Sequence, residues 1–188
     1  GDSMNTSLKS LLCGLVLGVA TLSSAQQTVP IFGLVELSGT GATSGSNFDN
    51  GIKLAVKEIN AAGGILGRKI NYQSMDTQSN PGVAKALAQK AVDQNAYVVM
   101  GPVFSGSIMV SMAESRKAEI PNFTGGEAAA ITQQGNPYIF RTAFGQAQSF
   151  PKLGRYISDV AKVKSLAVIY VNNDFGKGGL DKDRKSVV

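Results

Sequence analysis

Residues 29–39 read Val29-Pro30-Ile31-Phe32-Gly33-Leu34-Val35-Glu36-Leu37-Ser38-Gly39, a short apolar run closed by a Ser-Gly turn signal. Such a run, bounded by turn residues, is the pattern of a buried strand. A Gly/Ser/Thr-rich loop follows over residues 38–46. Ser46 or Asn47 then stands where it can cap a helix in which Phe48, Ile52, Ala55, Val56 and Ile59 recur at helical spacing. Gly63-Gly64 supplies the glycine stop at its end. Residues 69–76 alternate Ile70, Tyr72 and Ser74 against polar neighbours and predict a second strand.

The alternation continues along the chain. Asn80-Pro81 opens a second helix with Val83, Leu87, Ala88, Ala91 and Val92 on one side. Residues 97–100 read as a third strand, 107–118 as a third helix, 120–124 as a fourth strand and 138–143 as a short fifth one. Phe150, Leu153, Ile157 and Val160 mark a further helix, and 165–171 (SLAVIYV) a last strand with its loop over 172–179. Strand and helix in this order predict an α/β fold, a parallel, Rossmann-like sheet with helices on both faces. Ligands of such sheets sit outside the carboxyl ends of the strands, where loops run into helix N-termini. Four segments therefore frame the expected site: 38–46, 101–107, 124–128 and 172–176.

Composition narrows the chemistry. The chain has 188 residues, 43% hydrophobic and 16% charged, an ordinary globular balance for one domain or two small ones. It has no His, no Trp and one Cys, which excludes an imidazole base, a His metal ligand, an internal disulfide and a Cys cluster for zinc. No metal and no cofactor are expected. The net charge of +5 comes from scattered lysines and arginines with no aromatic-interleaved stripe, so a nucleic-acid partner is not expected.

The first segment reads as an address. Met4, Lys9, the apolar run 11–22 and Ser23-Ser24-Ala25 match a secretory signal peptide with a cut after Ala25. The run falls short of the roughly 20 apolar residues that span a bilayer. Residues 1–25 are thus an expected leader, with a short non-native start before Met4, and its removal takes Cys13 away.

Three glycine patterns resemble nucleotide sites and miss their partners. Thr40-Gly41-Ala42-Thr43-Ser44-Gly45-Ser46-Asn47 is similar to the cofactor loop of short-chain dehydrogenases, but Asn47 replaces the last glycine. None of the five tyrosines has the Lys four residues on that this family uses. Gly39-x-Gly41 meets Ser44 where the dinucleotide fingerprint needs glycine, and Phe175-Gly176-Lys177-Gly178 lacks the Ser/Thr of a phosphate loop. Ser105-Gly106-Ser107 lacks the preceding glycine of a nucleophile elbow and has no histidine to activate it. Glu36, Asp49, Asp76, Glu114, Glu119 and Glu127 are the carboxylates available for paired acid–base work, and most read as solvated helix-surface groups. No catalysis is expected.

A longer pattern is more specific. Residues 33–39 (GLVELSG), then 50–70 (NGIKLAVKEINAAGGILGRKI), Asp76 with Asn80-Pro81, 98–101 with Ser105, Ile139-Phe140-Arg141-Thr142, and 167–170 with Asn173-Asp174-Phe175-Gly176 occur in this order. The ensemble resembles the periplasmic solute-binding proteins of branched-chain amino acid ABC transporters, over residues 29–179. The resemblance implies a type I periplasmic binding protein fold, two lobes with a cleft that closes on a ligand and docks on a membrane permease, as a monomer when full length. It also implies an amino acid or related small carboxylate as ligand, in the periplasm. A ligand-sensing receptor domain of the same fold, or a dehydrogenase-like enzyme, is the alternative.

Carried over position by position, the resemblance puts Ser105 and the amides after it, Gly106 first, on the ligand carboxylate. A helix N-terminus favours an anion there; a plain helix cap is the other role open to Ser105. Gly126 matches a position whose backbone holds the ligand. Ala128 stands where the amino acid binders carry a threonine, and Ser44 where some place a tyrosine. Phe104 and Phe175 either line the side-chain pocket or pack at its edge, and Glu127 either meets an ammonium group or faces water. Residues 26–179 are expected to form the N-terminal lobe, with the second lobe absent. Residues 180–188, which show no apolar face, are expected to be an unrelated or non-native tail.

Overall fold

The computed structural model of the protein describes residues 28–186, with side chains described through Asp181. The expected leader over 1–25 and the last two residues lie outside the described residues. Five strands form one parallel sheet: β1 (Val29–Val35), β2 (Ile70–Asp76), β3 (Val98–Met100), β4 (Asn122–Thr124) and β5 (Ile139–Arg141), in the order β2-β1-β3-β4-β5. β1 pairs with β2 from Val29 opposite Ile70 to Val35 opposite Asp76, and with β3 from Ile31 opposite Val98. The order reverses between β1 and β3. That reversal opens a crevice beyond the carboxyl ends of these two strands, the position where such sheets bind ligands.

The helices are α1 (Ala42–Ala61), α2 (Pro81–Asp93), α3 (Ser105–Lys117), α4 (Gln146–Arg155) and α5 (Asp174–Ser186). Asn80 caps α2, its side-chain oxygen accepting from the N–H of Gly82 and Val83, with Pro81 at the first helical position. Alternate residues of β1 serve the two faces of the sheet. Phe32 and Leu34 pack with Val99 against Ala88, Ala91 and Ala96, the face that α2 covers. On the other face Tyr72 Oη reaches across Gly33 to Asp49 Oδ1 of α1 at 2.7 Å. A Cβ on Gly33 would lie 1.9 Å from that phenol oxygen, so glycine makes the crossing possible. A second cluster joins Ile108 and Met112 of α3 to Ala128, Ile131 and Ile139.

Three sequence expectations change. The stretch 38–46 is not a loop: a 3-10 turn over Gly39–Gly41 leads into α1 at Ala42, four residues before the expected cap. The segment 165–171 has the composition of a strand but pairs with no described strand, and residues 161–175 are exposed throughout, Ile169 at 99%. A strand is stabilised by a neighbour's backbone groups and cross-strand side chains, and here none lies alongside. The expected loop over 172–179 gives way at Asp174 to α5, where the Asn173 side chain accepts the N–H of Gly176, and the helix runs through Gly179 to Ser186.

Candidate functional site

The crevice is walled by the segments that leave β1, β3 and β4. Asp76, at the end of β2, organises the first of them. Its Oδ1 accepts the backbone N–H of Leu37 at 2.9 Å, Ser38 at 3.1 Å and Gln78 at 2.8 Å, and its Oδ2 accepts the Ser38 hydroxyl at 2.6 Å. Burial pushes this carboxyl upward, but the bonds from the Ser38 side chain and from the Gln78, Leu37 and Ser38 amides outweigh it and hold Asp76 below the usual range. Ser79 Oγ completes the tie, donating to Ser38 O at 2.7 Å and accepting the N–H of Gly41 at 2.9 Å.

The glycines of this stretch serve packing. A Cβ on Gly41 would lie 2.7 Å from Phe104 Cζ and 2.9 Å from Glu36 Cβ, and one on Gly45 would lie 2.1 Å from Glu36 O. The dehydrogenase-like pattern is therefore filled by the protein's own atoms, with the Gly41 amide already committed to Ser79. No open cradle remains there for a pyrophosphate.

The second wall leaves β3. Gly101, with φ of +84°, turns the chain so closely over β1 that a Cβ would lie 2.2 Å from Leu34 O. Glu36 then holds the loop: Oε2 accepts the N–H of Val103 at 3.1 Å and Oε1 that of Phe104 at 3.0 Å. Phe104 precedes the first helical residue of α3 and contributes no side-chain cap. The first amides of a helix lack intrahelical acceptors, so the start of α3 presents donors and the positive end of a dipole. Ser105 is the first helical residue rather than the cap, and is buried.

The third wall leaves β4. Ser105 Oγ accepts the backbone N–H of Ala128 at 3.2 Å. Arg141 clamps the same loop, donating to Gly126 O, to Ala128 O at 2.8 Å and to Thr132 Oγ1 at 3.1 Å. Desolvation pulls this guanidinium below its usual range, opposed by the charge of Glu127. Gly126 is packed so tightly that a Cβ would lie 2.3 Å from Ile108 Cδ1.

The structure thus brings Ser105, Phe104, Gly106, Gly126 and Ala128 to the carboxyl ends of β3 and β4. The carbonyls of Gly126 and Ala128 are occupied by Arg141, so what this loop offers a ligand is limited by that clamp. Ser44 lies exposed in the first turn of α1, and Glu127 is half-buried, its carbonyl accepting the N–H of Gln146 at 2.9 Å. Phe175 stands apart: with Phe150, Val171 and Gly179 it lines an apolar cavity of about 240 Å³ that none of the other sequence candidates line. The Asp174 carboxylate borders Gly106, Oδ2 lying 3.7 Å from where a Cβ would stand.

Several carboxylates expected at the solvated surface are not there. Glu36, Asp49 and Glu114 are buried. Asp49 accepts from Tyr72 and from Ser74 at 2.6 Å and pairs with Lys53; Glu114 pairs with Lys117 at 3.3 Å and Lys85 at 3.8 Å. These are structural ties, and they form no acid–base pair. Among the described residues no group of three or more His, Cys, Asp or Glu side chains could hold a metal ion. Glu36, Asp76 and Arg141 build the site, yet the sequence offers them only as carboxylates or as parts of the family pattern, not as ligand-site candidates. The signal for Glu36 was a lone carboxylate at the end of a buried apolar run.

Residues 28–187 match the family model described as periplasmic binding protein. The chain belongs to the periplasmic binding protein family. An amino acid binding protein of Pseudomonas aeruginosa is 32% identical over 177 residues, covering 93% of this chain and 47% of the relative. The leucine-specific-binding protein of Salmonella typhimurium is 28% identical over 176 residues, with coverage of 93% and 48%. The branched-chain amino acid transporter substrate binding protein LivJ of Streptococcus pneumoniae, solved with isoleucine, superposes with a TM-score of 0.80 at 29% identity, covering 85% of this chain and 47% of that one. A solute binding protein of an ABC transporter from Rhodopseudomonas palustris, solved with 3,4-dihydroxybenzoic acid, gives 0.77 at 25% identity, with coverage of 85% and 44%. The parallel α/β sheet expected from the sequence is thus the sheet of this family. The chain spans about half the length of the periplasmic binding proteins that it matches.

Proposed function

We propose that this chain forms one wall of the ligand cleft of an ABC-transporter substrate-binding protein, which captures an amino acid or related small carboxylate without transforming it and delivers it to a membrane permease. The observation that carries the reading is the start of α3. It opens at the crevice between β1 and β3 with no side-chain cap, and Ser105, its first residue, is tied to the loop after β4. A carboxylate suits this place, because charge-assisted bonds from helix amides are among the stronger hydrogen bonds. The ligands in the LivJ and Rhodopseudomonas palustris structures, isoleucine and 3,4-dihydroxybenzoic acid, both carry a carboxyl group.

In this proposal residues 26–179 provide one side of the cleft, a second lobe provides the other, and closure between them removes the ligand from water. The unpaired apolar stretch 165–171 supports that arrangement, since it has the composition of a strand and waits for neighbours. Residues 1–25 would direct export to the periplasm and be cut after Ala25. In this proposal the full-length protein works as a monomer, without a metal, a cofactor or a nucleic-acid partner.

Isothermal titration with isoleucine and, separately, with 3,4-dihydroxybenzoate tests the reading, followed by recovery of the ligand. Saturable one-to-one binding of either compound with the ligand recovered unchanged is the expected result. Turnover of the ligand, or no binding of either, contradicts it.

A further inference from the structure

We propose that Glu36 is a positioning residue: its carboxylate holds Val103 and Phe104 in the conformation that leaves the first turn of α3 open to a ligand. The consequence for binding rests on the ligand reading above; the mechanical role does not.

Glu36 is fully buried, at 0% exposure, one residue beyond β1 and at the reversal of strand order. Its two oxygens are divided between two successive amides, Oε1 to Phe104 at 3.0 Å and Oε2 to Val103 at 3.1 Å. Among the described residues no lysine or arginine forms an ion pair with it. A buried charge without a counter-ion is costly unless hydrogen bonds replace its hydration, and a neutral side chain would fold here at lower cost. What the charge provides that a neutral side chain does not is a pair of acceptors able to fix two consecutive N–H groups directly before a helix. The side chain is itself fixed. Gly41 and Gly45 let the chain entering α1 close over the Glu36 Cβ and backbone, and the Phe104 ring packs at the same point on Gly41.

The segments packed on Glu36 from the start of α1 and from the loop after β3 bring no titratable group against it. Asp76 at the end of β2 is the charged neighbour that acts on it. Burial first, and the charge of Asp76 with it, push the carboxyl above its ordinary value of 4.5, while the Phe104 and Val103 amides pull the other way. Protonation turns one oxygen into a hydroxyl, a donor and a much poorer acceptor, so one of the two loop bonds is weakened in acid. The loop before α3 then loosens, and the donors at the start of the helix lose their fixed direction.

The test uses backbone amide spectra of the protein between pH 4 and 8 and needs no ligand. The Val103 and Phe104 amide protons are expected to titrate together with a midpoint above 4.5. Those of Ser105 and Gly106 are expected to follow with the same midpoint. In Glu36→Gln the titration disappears and the Val103 and Phe104 amides exchange with solvent at least tenfold faster. Flat shifts at Val103 and Phe104 in the wild type overturn the proposal, and that measurement stands even where the variant does not fold. Titration of Val103 and Phe104 without response at Ser105 and Gly106 also overturns it, because Glu36 would then hold the loop without positioning the helix start. Isoleucine binding measured over the same range is expected to weaken below the same midpoint. A protein that shows the amide titration but binds neither isoleucine nor 3,4-dihydroxybenzoate contradicts the ligand reading and leaves the role of Glu36 intact.

Discussion

Ser105 Oγ accepts the backbone N–H of Ala128 at 3.2 Å, so the residue that begins α3 also clasps the loop leaving β4. Both ends of this bond are buried. Ser105→Ala leaves the Ala128 amide without its acceptor in a place water does not reach, a loss of about 1–3 kcal/mol. Urea unfolding of the variant against the wild type measures it. A variant as stable as the wild type would show that the clasp contributes nothing to the fold.

Gly126 is the tightest point of the same loop. Gly126→Ala drives a methyl group into Ile108 and Ile131, whose nearest carbons stand 2.3 and 2.9 Å from the added atom. Overpacking of this kind costs about 1–3 kcal/mol. The expected result is a lowered melting temperature, and Ile108→Val in the same chain is expected to recover part of it.

Arg141 fixes the carbonyls of Gly126 and Ala128. Arg141→Ala frees both carbonyls and removes hydrogen bonds from a charged donor, each contributing about 1.5–3 kcal/mol. Arg141→Lys keeps the charge but not the fork that reaches two carbonyls at once, and is expected to recover only part of the lost stability. Full recovery by lysine in chemical denaturation would contradict this account.

The pH dependence of stability has two opposite contributions. At Asp49 burial raises the carboxyl, but the bonds from Lys53, Ser74 and Tyr72 overcome it and hold the group below its ordinary value of 3.8. Its contribution is present above that value and is lost as the pH falls through the folded one. Asp49→Asn is therefore expected to lower stability at neutral pH by about 1–3 kcal/mol and to flatten the acid limb of the urea-stability profile. Glu36 has the reverse sign. Its folded-state value is raised, so its term favours folding below the ordinary value of 4.5 and fades as the pH rises through the folded one. Glu36→Gln removes that slope.

Much of the sheet is legible in the sequence because its signals are local. The run from Val29, the Asn80-Pro81 cap and the glycine pair at Gly63-Gly64 each depend on neighbours in the chain, and the structure places β1, α2 and the end of α1 on them. The start of α1 was hidden because Gly39, Gly41 and Gly45 read as a loop. Gly41 and Gly45 let the chain lie against Glu36 and Phe104, and Gly39 lies against Gln78 and Ser79, contacts made only through the fold. The stretch 165–171 misled for the converse reason: a strand is completed by partners, and composition says nothing of whether they are present. Ser105, Gly106 and Gly126 enter as candidates through the resemblance alone, and the structure places all three at the carboxyl ends of β3 and β4. Glu36 and Asp49 read as surface carboxylates because the groups that donate to them, the Val103 and Phe104 amides and the Tyr72 and Ser74 hydroxyls, come from distant parts of the chain, while Glu114 has Lys117 nearby and Lys85 far away.

If the start of α3 receives a carboxylate, the amide spectrum of that turn reports it. Isoleucine and 3,4-dihydroxybenzoate are each titrated into the protein while the Ser105, Gly106 and Ser107 amides are followed. Saturable shifts at these three amides are expected with at least one of the two compounds, weakened at least tenfold in Ser105→Ala. No shift with either compound, or shifts confined to the cavity lined by Phe150 and Phe175, would contradict it.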